Sequence, residues 1–170
     1  MPPIPPWEAL HPAIVHFPIA LLLVVPIFVV LALVQRRQRP GLSQAALILL
    51  LLGTVGAWVA VQTGEAAEER AEGIPGIEEV LEEHEHGGED ARNYFTGLTL
   101  LYAAIVLLPA ILKREPPAAL YGGLNAVFLV LYLLAVVSLA NTASLGGRLV
   151  HEFGALGGVP AGPAGPSDND

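Results

Sequence analysis

The chain contains no cysteine. Disulfides, thiolate metal sites, iron–sulfur clusters and thioether-linked haem are therefore excluded. Charge is scarce too: 14% of the 170 residues are Asp, Glu, Lys or Arg, against about a quarter in soluble domains. Positive charge is scarcest. Eight Lys and Arg against sixteen Asp and Glu leave a net charge of −8. Nucleic-acid binding needs clustered basic side chains, so a nucleic-acid partner is excluded. No phosphate loop, dinucleotide fingerprint or nucleophile motif is present. The sequence names no reaction and leaves open whether the protein is an enzyme.

What the chain does have is four long apolar blocks, at 13–34, 42–63, 94–112 and 121–145, with no Asp, Glu, Lys or Arg inside any of them. Each is long enough to cross a ~30 Å hydrocarbon core as a helix. The fold expected is all-α: a polytopic membrane protein with a four-transmembrane-helix bundle over residues 1–153, its main partner the lipid bilayer. The first block is read as a retained helix, because no Lys or Arg precedes it and Gln35-Arg36-Arg37-Gln38-Arg39 follows it. Arg36, Arg37, Arg39, Lys113 and Arg114 sit on two short loops, and Arg70, Arg92 and Arg148 fall on the other side. Basic short loops stay in the cytoplasm, so both termini are expected to be extracytoplasmic.

The polar segment 64–92 holds eleven acidic residues and is expected to be an acidic outer loop. Ile77, Val80 and Leu81 form a short apolar stripe within it, which predicts a small amphipathic helix over 76–86 ended by Gly87-Gly88. The Gly-, Ala- and Pro-rich tail 154–170 is expected to be disordered. Gly53, Ala57, Ala60 and Gly64 form a small-residue stripe suited to close helix packing. Asn125, Ser138, Asn141 and Thr142 are expected to hydrogen-bond between helices.

Five histidines, His11, His16, His84, His86 and His151, all fall at the outer end of this topology. His16 lies inside the first helix, where an ionisable side chain is a functional-site candidate, and Pro18 loosens the helix beside it. The plain alternative is a neutral histidine bonded to a carbonyl. His84 and His86 sit in a Glu-rich run, where a solvated loop is the plain reading. Glu83-x-x-His86 has the spacing of carboxylate-bridged di-iron bundles, but only once. Glu65 with Glu68, and His151 with Glu152, add donors on the same face. Imidazole suits zinc, copper and iron, and carboxylates supply oxygen ligands. The candidate metal set is therefore His11, His16, His84, His86, His151 and Glu65. For haem b the candidate ligands are His16 and His151, with His11 or a loop histidine as the other partner. No inner histidine pair exists to carry electrons across the membrane, and the helix centres lack ionisable residues for a transport path.

The run His11-Pro12-Ala13-Ile14-Val15-His16-Phe17-Pro18-Ile19-Ala20-Leu21 resembles the opening of DUF2231, a family of small prokaryotic membrane proteins. Thr63-Gly64 after the second helix, and Gly146-Gly147-Arg148-Leu149-Val150-His151 after the fourth, resemble it too, in matching order over about residues 10–153. The resemblance implies a four-helix membrane domain, with His11, His16 and His151 as signature histidines. It implies no activity. The expected location is the prokaryotic plasma (inner) membrane. The leading expectation is a redox-related protein that holds haem b or a transition metal ion at its outer face, working with other membrane or electron-transfer proteins. The rival is a membrane scaffold or accessory subunit whose histidines only bond between helices.

Overall fold

The computed structural model describes residues 6, 7, 10–71 and 73–155, the side chains of Glu69 and Arg70 excepted. Among them the regular structure is all helical: α1 (His11–Ile14), α2 (His16–Val34), α3 (Arg39–Ala71), α4 (Glu78–Leu112) and α5 (Ala118–His151). Among the described residues, four spans are long and apolar enough to cross a membrane, with α1 and α2 counting together as the first. The break between α1 and α2 falls at Val15. Pro18 has no amide hydrogen to give the Ile14 carbonyl, so the helix is loosened there.

The other helices outrun their apolar blocks. At 33 and 35 residues, α3 and α4 are each about 50 Å long, against a ~30 Å hydrocarbon core. Segment 64–92, expected to be a loop, is therefore mostly the ends of two long helices. Beyond Gly64, α3 continues through Glu, Ala and Arg, which are strong helix formers. The turn lies between Ala71 and Glu78, with Gly73 and Gly76 in the left-handed region (φ 91° and 79°) that glycine adopts without strain.

The short helix expected over 76–86 is the start of α4, and α4 does not end at Gly87-Gly88. A Cβ on Gly87 would strike the Thr142 hydroxyl of α5. Gly87 therefore permits a close helix–helix approach rather than a stop, and packing outweighs the ~1 kcal/mol a glycine costs inside a helix. Of the tail expected to be disordered, only Gly154 and Ala155 are described, and 156–170 lie outside the described residues.

Contacts are densest for α2 with α3, α4 with α5 and α3 with α4; α2 and α5 close the ring most loosely. The core combines Leu22, Val25 and Val29 of α2, Leu50 of α3, and the aromatics Phe95, Tyr102, Phe128 and Tyr132 of α4 and α5. Their rings run as a ladder: Phe95 to Tyr132 at 5.4 Å, Tyr132 to Phe128 at 5.5 Å and Phe128 to Tyr102 at 4.6 Å between centroids. Large apolar side chains such as Ile27, Leu100, Ile111 and Leu133 face outward. Such a surface is a liability in water and is what a bilayer solvates.

Polar bonds also cross between helices. Ser43 pairs with Tyr121 at 2.9 Å, Thr54 with Thr99 at 2.8 Å, and the Tyr132 hydroxyl donates to the Leu22 carbonyl at 2.8 Å. Asn125 and Thr142, expected to bond between helices, instead donate to the Tyr121 and Ser138 carbonyls of their own helix. Side chains of this length reach the carbonyl four residues back without needing a neighbour.

Beyond the apolar blocks, Ala71, Ile77, Val80 and Leu149 form a second small core that caps the acidic end of the bundle.

Candidate functional site

Between the main core and this cap lies a pocket of about 420 Å³. Its walls are mainly apolar, from Val15, Ile19, Ala57, Phe95 and Leu139, and all of the helices α1 to α5 contribute. Two half-buried histidines face each other across it. The rings of His11 and His84 stand 6.2 Å apart and nearly perpendicular, at 88°.

Backbone carbonyls hold both rings. His11 Nδ1 donates to the Ala60 carbonyl at 2.9 Å and lies 3.2 Å from the Thr63 hydroxyl, which itself donates to Ala60. His84 Nδ1 donates to the Thr142 carbonyl at 2.9 Å. A carbonyl only accepts, so Nδ1 carries the hydrogen, and in the neutral ring Nε2 keeps a lone pair. Neither Nε2 has a hydrogen-bond partner among the described residues. A glycine backs each ring. A Cβ at Gly64 would come within 3.1 Å of His11 Cε1, and one at Gly146 within 2.9 Å of His84 Cε1. Glycine at these two positions lets the imidazoles lie directly on the α3 and α5 backbones.

The other candidate residues occupy the rim or lie outside. His16 and His151 are exposed and border the pocket; His16 donates through Nδ1 to the Pro12 carbonyl at 2.6 Å. Glu65 and Glu85 border it as well, and no described Lys or Arg does. His86 is exposed, bonded to the Glu82 carbonyl at 2.9 Å, and lies in a separate acidic groove with Glu78 and Glu82. Among the described residues, no three His, Asp or Glu side chains are grouped closely enough to hold a metal ion.

The facing of His84 and His11 is not in the sequence reading, because His84 fell in a presumed loop. A signal for it exists. Val80, His84, Gly87, Ala91, Phe95, Leu98 and Tyr102 follow one another at helical spacings of 3 and 4, so one face of α4 runs unbroken from the cap into the membrane. Gly146 and Thr142 are spaced the same way on α5.

The segments that carried the family resemblance meet at this pocket: His11 from the opening run, Thr63-Gly64 from α3, and Gly146 to His151 from α5. The family described as a predicted membrane protein, DUF2231, matches residues 8–157. The chain belongs to the DUF2231 family. No curated protein and no solved structure matches it. In this DUF2231 chain, the fold and the convergence of those three segments on one histidine-lined pocket must carry the functional reading.

Proposed function

We propose that this DUF2231 protein binds a small redox-related ligand in its acidic-end pocket, gripped by His11 and His84, in a prokaryotic plasma membrane with that end and both termini extracytoplasmic. The observation that supports this is the pair of pocket-lining imidazoles whose Nδ1 is committed to backbone and whose Nε2 has no hydrogen-bond partner among the described residues. Ligating histidines are commonly oriented in this way, the second nitrogen donating to a carbonyl. The basic short loops support the orientation. His16, His151 and Glu65 take rim positions in this reading, and His86 serves the acidic groove instead.

Of the two cofactors the sequence suggested, each fits in part. Haem b, a one-electron carrier when bound, would suit the apolar walls and the two neighbouring imidazoles. Its propionates would meet Glu65 and Glu85 where they need cations. A bare transition metal ion suits those carboxylates, yet has two preformed nitrogen donors where structural and catalytic sites use three or four ligands. The scaffold reading uses the same histidine–carbonyl bonds as ties between helices, and the acidic groove as a dock for a basic partner. It gives no role to two unpartnered nitrogens on rings that line an apolar pocket, which is why it ranks second.

Protein purified without chelators is the material for the test, by oxidised and reduced absorption spectra and elemental analysis on one sample. A Soret band with about one iron per chain identifies haem b. Bound zinc, copper or iron without that band identifies a bare ion. Either signal is expected to vanish in His84→Leu. The orientation has its own test. Single cysteines at exposed Gln38 and Glu79 are expected to label from opposite sides of the membrane, with Glu79 outside; labelling of both from one side would overturn the topology.

A further inference from the structure

The partial fit of both cofactors, together with the way the pocket opens, points to another class of occupant. Resting on the reading of the His11–His84 pocket as a ligand site, we propose that it takes a hydroquinone: a neutral, bilayer-dissolved molecule that enters sideways between α2 and α5.

The route is visible in the packing. Among neighbouring long helices, α2 and α5 touch least. The Tyr132 hydroxyl on the Leu22 carbonyl, at 2.8 Å, ties them together near mid-membrane. From that tie toward the acidic end, Pro18 and Ile19 of α2 and Leu139 and Ala143 of α5 line the pocket. His16 on α2, with Ala143 and Val150 on α5, both line the pocket and are exposed on the outside of the bundle. Ala143 lies near the outer end of the uncharged run 121–145, beside Thr142, which packs on Gly87 of α4, so the opening sits at the outer edge of the hydrocarbon. On α5 itself Val137 is 54% exposed, an outward apolar surface on the hydrocarbon side of the opening.

The head group follows from the donors and charges. Both Nε2 atoms present lone pairs, so the ligand must bring a proton donor, and a phenolic hydroxyl supplies one while a quinone carbonyl supplies none. Glu65 and Glu85 on the rim, with no described Lys or Arg lining the pocket, repel the phosphate of a phospholipid and the carboxylate of a fatty acid. A neutral head is tolerated. The aliphatic walls from Val15, Ile19 and Leu139 suit an apolar ring. At about 420 Å³ the cavity falls in the ~300–1,000 Å³ range of small-molecule sites.

The test uses the full chain in phosphatidylcholine nanodiscs with decyl-hydroquinone as the probe, and the oxidised decyl-quinone beside it. Saturable binding of the reduced form is expected, with the oxidised form weaker by about tenfold or more, the cost of one hydrogen bond left unmade. His84→Leu is expected to weaken the reduced form similarly. Ala143→Trp, which blocks the side opening and leaves both histidines in place, is expected to abolish binding with the melting temperature kept. Equal binding of the two redox forms, no saturable binding to the wild type, or full binding by Ala143→Trp would overturn the proposal. If the wild type ignores hydroquinone but carries iron or another metal that His84→Leu loses, the hydroquinone fails and the pocket reading stands. If no bound species of any kind responds to His84→Leu, both fail.

Discussion

Gly146→Val is expected to empty the pocket. The His84 ring lies on the α5 backbone, and even a Cβ at 146 would come within 2.9 Å of its Cε1. The ring cannot slide along α5, because its Nδ1 is bound to the Thr142 carbonyl one turn back. A valine must either push the imidazole off that carbonyl or part α4 from α5. Overpacking of this kind costs about 1–3 kcal/mol, and the displaced ring no longer faces His11. Ligand affinity is expected to fall at least about tenfold. Thermal unfolding in detergent, measured with and without ligand, separates the two effects. Gly123→Val, on the same helix but away from the pocket, is the control, since a Cβ there meets nothing within 4 Å. An unaltered ligand complement in Gly146→Val would mean that His84 is not a ligand-gripping residue.

Gly87→Ala and Gly88→Ala are expected to act in opposite directions although they are adjacent. Alanine at 87 strikes the Thr142 side chain, which is held by its own bond to Ser138 at 3.1 Å. Wedging α4 from α5 is expected to destabilise by about 1–3 kcal/mol. A Cβ at 88 meets only Val61 Cγ2, at an ordinary 3.9 Å, and alanine in a helix interior is favoured over glycine by about 0.5–1 kcal/mol. Gly88→Ala should therefore raise the melting temperature slightly while Gly87→Ala lowers it. Had Gly87-Gly88 ended a short helix in a solvated loop, neither change would matter much, so the pair distinguishes a continuous α4 from that loop.

These contrasts mark where the sequence is readable and where it is not. The four membrane spans were legible because uncharged apolar runs of about twenty residues match the thickness of a bilayer and exceed what a buried core helix needs. The gathering of histidines at one end followed from the same spans. The extension of α3 and α4 past the hydrocarbon was hidden, since its Glu-rich composition reads equally as loop or helix and only packing against α5 decides between them. His84 was hidden for the same reason. It belongs to the core-facing stripe of α4 only if the helix passes through Gly87-Gly88. His16 drew attention by lying within the first apolar run, yet its ring is exposed and tied to Pro12, while His11, just before that run, is the residue that reaches inward. The roles of Gly64 and Gly146 as seats for rings depend on which neighbour comes closest, and composition does not carry that information.

The most direct test of a ligand gripped between His11 and His84 is native mass spectrometry of the protein released from its own membranes, wild type beside His11→Leu and His84→Leu. A discrete bound mass on the wild type, absent from both variants while all three remain folded, is the expected result. The same mass on all three, or none on the wild type, would contradict a binding role for the pair and leave the histidines as ties between helices.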